Sequence, residues 1–187
     1  MWLDPNNYKD IDKLRAVNHL LQDIVTDSST VFKDEHKTVI KFKQNVDWVG
    51  VILYQRYGNQ NNNLEYFDPR ITQVQHMLKE IPSVVQAIIN FVGPNSVTQL
   101  HSDTQDYEGV QGSADIVKTY QLYSGLIIPE YNDDSIGLCL AGEVRSWKTG
   151  EFLAFDGTSP HYGWNRTNST RVSLYADVRQ DSFTTIV

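Results

Sequence analysis

The fold is decided by residues 136–178, which read IGLCLAGEVRSWKTGEFLAFDGTSPHYGWNRTNSTRVSLYADV. Short apolar runs rich in branched and aromatic residues alternate here with turn-forming residues. Such close, regular spacing is typical of a β-sandwich or β-barrel. The strands predicted in this stretch cover residues 136–140, 143–147, 152–155, a strand opened by His161, and 171–178, with Gly142, Thr149-Gly150, Gly157 and Gly163 as turn residues between them.

Upstream of this stretch, two segments have helical periodicity. Apolar residues recur three and four positions apart over residues 11–25 and again over 71–81, which places them on one face of a helix, and Pro82 ends the second run. Further strands are predicted at residues 38–42, 48–54, 84–92 and 120–128.

The order of these elements favours one fold class. The strands follow the first helix in a long series instead of alternating regularly with helices, which argues against a parallel doubly wound sheet. We predict an all-β core with N-terminal helices, built as a double-stranded β-helix, the jelly roll of the cupins. Residues 1–187 form a single domain in this prediction, with a helical segment at about 7–27 and a jelly-roll core at about 37–178.

Composition excludes several functional classes. The chain has 187 residues and a formal net charge of −7, which disfavours nucleic-acid binding because that function needs a basic surface. Cys139 is the one cysteine of the sequence, so an internal disulfide and a cysteine-based zinc site are excluded. No apolar run approaches the roughly 20 residues of a membrane span, and the first residues do not resemble a signal peptide. We therefore expect a cytoplasmic protein that binds neither membrane nor nucleic acid.

Three residues form a candidate metal site. His101 and Asp103 lie two positions apart in an extended segment, so their side chains point the same way. His161, at the start of a later strand, can supply a third ligand from across the barrel. Two histidines and one carboxylate are the facial triad that binds non-haem Fe(II). A His-x-Asp sequence also occurs by chance in many proteins, so the pair alone does not establish a metal site.

Arg171 and Ser173 suggest a carboxylate-binding site near these ligands. Arg171 opens an apolar strand ten residues after His161, and Ser173 faces the same way as Arg171. A guanidinium binds a carboxylate through two parallel hydrogen bonds, and a serine hydroxyl can add a third. A surface charge on an edge strand is the alternative for Arg171 taken alone.

Together these residues resemble one enzyme family. The matching segments, in order, are residues 125–129 (GLIIP), 142–151 (GEVRSWKTGE), 155–156 leading to His161, 164–165, and Arg171 with 177–178. From His101 to Val178 the chain resembles the aspartyl/asparaginyl β-hydroxylases, which are Fe(II)- and 2-oxoglutarate-dependent oxygenases. The resemblance covers roughly residues 45–178 and leaves the N-terminal helix outside.

The resemblance implies roles for the candidate residues. His101, Asp103 and His161 would be the catalytic metal ligands, and Arg171 would bind the far carboxylate of 2-oxoglutarate. The animal enzymes have glycine at the position of Asp103, so this chain is more similar to bacterial amino-acid hydroxylases with a full triad. Arginines and a histidine of the animal enzymes are replaced by Thr119, Gln121 and Tyr123. Gln121 and Tyr123, together with Asn90 and Ser173, remain candidates for binding the co-substrate.

These inferences converge on an oxygenase. We expect a dioxygenase that uses Fe(II), 2-oxoglutarate and O₂ to hydroxylate a small amino acid or an amino-acid-derived molecule. Arg56, Arg145 and Arg166 are candidate clamps for a substrate carboxylate, and the polar segment 102–118 is a candidate lid. The alternative is a metal-binding cupin-type isomerase or ligand-binding module without oxygenase activity. The sequence leaves the substrate and the oligomeric state open.

Overall fold

The structure is a computed structural model that describes most of the chain. The described ranges are residues 1–27, 39–41, 48–56, 69–103, 106–107, 117–129 and 134–184, with the backbone alone described at 39–41 and 106–107. Most of the predicted lid, residues 102–118, and all of His36 lie outside these ranges.

Within these ranges the chain forms two α-helices and twelve strands, with short 3-10 turns at Pro5–Asn7 and Gln180–Ser182. The helices are α1 (Ile11–Asp27) and α2 (Pro69–Lys79). The strands are β1 (Trp2–Leu3), β2 (Val39–Lys41), β3 (Trp48–Gln55), β4 (Val84–Val92), β5 (Ser96–Val97), β6 (Asp106–Tyr107), β7 (Val117–Ile127), β8 (Ile136–Leu140), β9 (Glu143–Arg145), β10 (Phe152–Phe155), β11 (His161–Asn165) and β12 (Arg171–Arg179).

The strands form two facing antiparallel sheets. The large sheet has the order β1-β10-β7-β12-β4-β3-β2, with β6 paired to β7, and the small sheet has the order β5-β11-β8-β9. Strands distant in the chain are neighbours in the sheet, since β12 lies between β4 and β7. This topology confirms the predicted jelly roll with helices outside a β core.

The two faces of β12 meet different surroundings. Val172, Leu174, Ala176 and Val178 alternate along one face and belong to a large apolar core that includes residues of both helices. The intervening residues, from Arg171 to Asp177, occupy the opposite face, which is turned toward the small sheet. The period-2 pattern therefore separates a helix-covered face of the large sheet from a face that lines the barrel.

The helices cover the outer face of the large sheet because each has one apolar side. Leu14, Val17 and Leu21 of α1 are fully buried, as are Ile71 and Val74 of α2. The first helix confirms the predicted periodicity. The second begins at Pro69, a favourable first-turn residue, and ends at Lys79, two residues before the predicted end.

Some predicted boundaries are wrong. Gly163 lies inside β11 and not in a turn, where it pairs with Leu138 of β8. Strand β9 ends at Arg145, so Trp147 lies beyond it. Strand β1, which pairs with β10 and forms the edge of the large sheet, was not predicted from the sequence.

Candidate functional site

The backbone brings the two candidate histidine ligands side by side. His161 is the first residue of β11, and His101 lies in the extended segment that follows β5. The two residues form an antiparallel bridge in which each amide donates to the other's carbonyl, at 3.0 Å and 2.8 Å. The ring centroids are 4.3 Å apart. The two histidines, 60 positions apart in the sequence, are thus brought together by direct backbone pairing.

Asp103 completes the cluster. Its amide donates to the Gly157 carbonyl, which holds this segment along the loop that leads to His161. Asp103 Oδ1 lies 3.8 Å from His101 Nε2, and Oδ2 lies 3.5 Å from His161 Nε2. One ligand atom from each of the three residues can be chosen so that all lie within 4.8 Å of one another. The structure therefore brings together all three residues predicted as ligands.

The histidine hydrogen bonds suit metal binding. His161 Nδ1 contacts the Ser159 carbonyl at 2.9 Å, and His101 Nδ1 contacts the Gln99 carbonyl at 2.6 Å. A carbonyl can only accept, so each Nδ1 carries a proton, and in the neutral form of each ring Nε2 has the lone pair that can bind a metal. Nε2 of His161 is buried without a hydrogen bond to any described residue. A metal ion fits this donor set, because it would satisfy a buried nitrogen that is otherwise left unpaired.

The charge on Asp103 is stabilised by its neighbours. Burial by itself would raise the pKa of the carboxyl, but the His161 ring, the Gln121 amide and the His101 ring outweigh burial and lower that pKa below its ordinary value. The Gln121 side-chain nitrogen donates to Asp103 Oδ2 at 2.5 Å. The carboxylate is therefore ionised at neutral pH, as a metal ligand must be.

Arg171 is a buried cation next to this cluster. It is 4% exposed, and the ring centroid of Trp147 lies 5.0 Å from its guanidinium carbon. Its Nη1 makes a long hydrogen bond, 3.4 Å, to the Trp164 carbonyl. Among the described residues it has no carboxylate within ion-pair distance, and its Nε has no hydrogen-bond partner. Burial lowers the pKa of Arg171 to about 10, which still leaves the guanidinium charged at neutral pH.

The other predicted co-substrate residues lie on the same face of the large sheet. Ser173 is fully buried, and its hydroxyl has no partner among the described residues. Ser173 pairs directly with Asn90, whose side-chain oxygen accepts from Trp48 at 3.4 Å. Burial and the charge of Asp103 raise the pKa of Tyr123, so its hydroxyl is a neutral donor. Gln121 differs from these residues because its amide nitrogen contacts Asp103 and Tyr175.

One pocket connects the histidines to Arg171. The residues that line it are Trp48, Asn90, Thr98, His101, Tyr123, Leu138, His161, Gly163 and Arg171. Trp48, Thr98 and Gly163 were not predicted as lining residues from the sequence. A glycine inside an apolar strand signals close approach to the backbone, so Gly163 could have been found from the sequence.

Several other candidates lie elsewhere. Arg56 donates to the backbone carbonyls of Lys79, Ile81 and Val84, which ties the end of α2 to β4. Arg145 pairs with Glu143, and Arg166 stacks over Trp164. None of these three arginines lines the pocket formed by the described residues.

Asp156 has a local role in the turn before His161. Its Oδ1 accepts from the amide and the hydroxyl of Thr158, at 3.0 Å and 2.7 Å. Such a contact two residues ahead is ordinary turn chemistry. The orienting contact of the His161 ring comes instead from the Ser159 carbonyl.

Two features define the class of this protein. The fold is a jelly roll, and its site combines a cluster of two histidines and one carboxylate with a nearby buried arginine that has no carboxylate partner among the described residues. The model of the aspartyl/asparaginyl beta-hydroxylase family matches residues 12–181, and the chain belongs to this family. The match includes nearly all of α1, so the expectation that the N-terminal helix lies outside the resemblance is wrong.

A curated relative is the ornithine lipid ester-linked acyl 2-hydroxylase of Rhizobium tropici. It is 31% identical over 100 residues, which cover 54% of this chain and 31% of the relative. The chain thus matches about a third of the length of this relative.

Two solved structures match the chain at low sequence identity. An oxidoreductase of the 2OG-Fe(II) oxygenase family from Burkholderia pseudomallei is 15% identical, with 74% of this chain and 71% of that chain covered and a TM-score of 0.45. A predicted oxalate decarboxylase from Thermotoga maritima is 11% identical, with 80% and 98% covered and a TM-score of 0.41. At these identities and TM-scores the likeness bears on neither activity nor substrate. Among the described helices, none has the length and apolar character needed to cross a membrane.

Proposed function

We propose that this chain is an Fe(II)- and 2-oxoglutarate-dependent dioxygenase that hydroxylates a small amino acid or an amino-acid-derived molecule. The observation that carries the proposal is a pocket lined by His101 and His161, two members of the His101–Asp103–His161 cluster, and by Arg171, whose cation has no carboxylate partner among the described residues. A metal-binding module alone needs the first feature and has no use for the second. Membership of a hydroxylase family supports the same activity.

Each residue has a defined task in this proposal. His101, Asp103 and His161 would hold the metal, and bound Fe(II) would supply the redox chemistry that activates O₂. Arg171 would bind the distal carboxylate of 2-oxoglutarate, with the hydroxyls of Ser173 and Tyr123 as further donors. The overall reaction converts a substrate C–H bond, O₂ and 2-oxoglutarate into C–OH, succinate and CO₂. One oxygen atom enters the product and the other enters succinate.

The protein's own contribution is binding, orientation and exclusion of water. Trp147 covers one face of the Arg171 guanidinium, which keeps water from competing for the cation. A dicarboxylate needs such a fixed cation at its buried end, because a buried carboxylate without a partner is costly. Arg171 therefore sets the depth at which the co-substrate enters the barrel.

The Rhizobium relative favours a second candidate substrate, the acyl chain of an amino-acid-derived lipid. That relative is named for hydroxylating an acyl group of ornithine lipid. Both candidate substrates contain an amino-acid group, which is the whole molecule in one case and the lipid headgroup in the other. One panel of compounds therefore tests them together. Action in the cytoplasm, without binding to nucleic acid or to a membrane surface, stays a prediction from the sequence.

The test is succinate formation by the purified protein. The protein is first loaded with Fe(II) under anaerobic conditions. It is then mixed with 2-oxoglutarate, ¹⁸O₂ and one member at a time of a panel of free amino acids, N-acylated amino acids and micellar ornithine lipid. The proposal predicts substrate-dependent succinate above uncoupled turnover, and one ¹⁸O atom in the hydroxylated product. Succinate formation that no member of the panel stimulates would contradict the proposed substrate class.

Two variants control the test. His161→Ala should abolish turnover because it removes a metal ligand, whereas His76→Ala changes an exposed histidine on α2 and should leave turnover unchanged. Metal binding without any conversion of 2-oxoglutarate would overturn the dioxygenase and support the alternative of a cupin-type isomerase or ligand-binding module.

A further inference from the structure

Gln121 sits between the metal cluster and two other polar residues of the barrel. It is fully buried on β7, directly opposite Asp177 of β12. Its amide nitrogen lies 2.5 Å from Asp103 Oδ2 and 3.3 Å from the hydroxyl of Tyr175. The Tyr175 hydroxyl in turn donates to Asp177 Oδ1 at 2.5 Å. A continuous chain of hydrogen bonds therefore runs from Asp177 through Tyr175 and Gln121 to Asp103.

The number of protons on each group determines which atom donates in each of these hydrogen bonds. The Asp177 carboxylate can only accept, so the single hydroxyl proton of Tyr175 points to Asp177. The Tyr175 oxygen is then left as an acceptor toward Gln121, as is the ionised carboxylate of Asp103. An amide NH₂ has two protons and satisfies both acceptors, whereas the amide carbonyl in that place would repel both. Tyr175 and Asp177 thereby orient the Gln121 amide with its nitrogen toward Asp103.

The Asp103 side chain needs such an orienting contact. It is 36% exposed, in contrast to the 2% exposure of the His161 side chain, so packing restrains it much less. Freezing a partly exposed side chain costs conformational entropy when a metal binds. A hydrogen bond to Oδ2 that exists before binding reduces this cost and leaves Oδ1 available as a ligand.

We propose that Gln121 is a positioning residue of the metal centre, which holds Asp103 through one carboxylate oxygen and is itself aligned by Tyr175 and Asp177. This inference rests on the proposed function, because it requires that Asp103 binds a metal. It assigns Gln121 a different task from the co-substrate contact expected from the sequence. Partners that orient metal ligands typically change metal affinity about 10- to 100-fold when they are lost.

The experiment measures Co(II) binding to the apo protein by calorimetry, with Co(II) as a visible, redox-stable probe. Gln121→Met keeps the length of the side chain and removes both donors, so it should weaken Co(II) binding about 10- to 100-fold. Tyr175→Phe keeps the ring and loses only the orienting hydroxyl, so it should weaken binding about 2- to 10-fold. The visible absorption of bound Co(II) should also change in Gln121→Met at saturation, which a loss of general stability would not produce.

Gln86→Met is the matched control. Gln86 is half-buried on β4 opposite Asp177, on the same face of the large sheet, and it is absent from the metal cluster. This control should bind Co(II) like the wild type. Equal affinity and equal spectra for Gln121→Met and Gln86→Met would overturn the inference and leave the proposed function intact.

Two further outcomes decide the remaining cases. Wild-type protein that binds no Co(II) would overturn the proposed metal centre itself, and the inference with it. If Gln121→Met does not fold, Tyr175→Phe becomes the deciding variant. Wild-type Co(II) affinity and spectrum in Tyr175→Phe would then overturn the proposed alignment of Gln121 by Tyr175.

Discussion

The two faces of the large sheet bury different kinds of side chain. The helix-covered face packs aliphatic residues such as Leu14, Leu21 and Leu174. The buried carboxylate of Asp10 on this side has a partner, because the Ser83 hydroxyl donates to it at 2.6 Å. The face toward the small sheet buries Arg171 without an anionic partner among the described residues.

The helix-covered face contributes mainly to the stability of the fold, whereas the face toward the small sheet is suited to binding a ligand. Apolar burial on the helix side stabilises the fold at about 25 cal/mol per Å² removed from water. A buried cation without a partner destabilises the ligand-free protein, and it persists because a ligand can use it. Variants on the helix side should therefore change stability alone, whereas variants on the site side should change ligand affinity with a small or opposite effect on stability.

The largest expected effect is that of Leu21→Ala on the helix side. Leu21 is fully buried in α1, so its truncation removes apolar contacts and leaves a cavity. We expect a loss of about 2–5 kcal/mol in the free energy of unfolding, measured by chemical denaturation. Co(II) affinity of the folded protein should not change. A weaker Co(II) affinity would show that the two faces are coupled and would break the comparison.

Arg171→Met should have opposite effects on stability and on binding. Burial lowers the pKa of Arg171 to about 10, which corresponds to a destabilisation of about 3 kcal/mol at neutral pH that the variant relieves. The affinity for 2-oxoglutarate, measured by calorimetry on Co(II)-loaded protein, should fall by about 30-fold or more because the buried carboxylate loses its partner. Unchanged affinity for 2-oxoglutarate would contradict the assignment.

The pH dependence of this penalty follows from its sign. Folding disfavours the charged guanidinium, so the destabilisation is fully present below pH 10 and decreases as the pH rises from 10 toward the ordinary pKa of arginine. The difference in unfolding free energy between wild type and Arg171→Met should therefore be constant between pH 6 and 9. A difference that varied across this range would point to another titrating group.

Ser83→Ala tests the polar network of the helix side. The Ser83 hydroxyl joins the hydroxyl of Tyr8 and the carboxylate of Asp10, each at 2.6 Å. Its removal leaves both groups with an unmade hydrogen bond, at a cost of about 1–3 kcal/mol in the free energy of unfolding. Turnover and Co(II) affinity should match the wild type, and a loss of either would show that this network reaches the site.

The smallest expected effect is that of Ser173→Ala on the site side. The Ser173 hydroxyl is buried and has no partner among the described residues, so its removal should not lower the stability of the ligand-free protein. Loss of one hydrogen bond to 2-oxoglutarate should weaken its binding by about 0.5–1.5 kcal/mol. A drop in stability without a change in binding would place Ser173 with the structural residues.

Local pattern was sufficient to predict the layers of the fold. The three- and four-residue spacing from Ile11 to Val25 predicts α1 because a helix turns once in 3.6 residues, and the alternation in β12 predicts which residues face the barrel. The spacing of His101 and Asp103 predicts that their side chains converge for the same reason. The order of the motifs around Arg171 was enough to suggest the family.

Contacts between distant segments were decided only by the tertiary structure. The sequence does not show that His101 bridges His161, that Trp147 covers Arg171, or that Gln121 contacts Asp103. Each of these contacts joins segments that are distant in the sequence and become neighbours only after the sheets have formed, and the pairing register of the strands helps to select the partner. Residue type and period therefore determine which way a side chain points, whereas the packing of the two sheets determines what it meets.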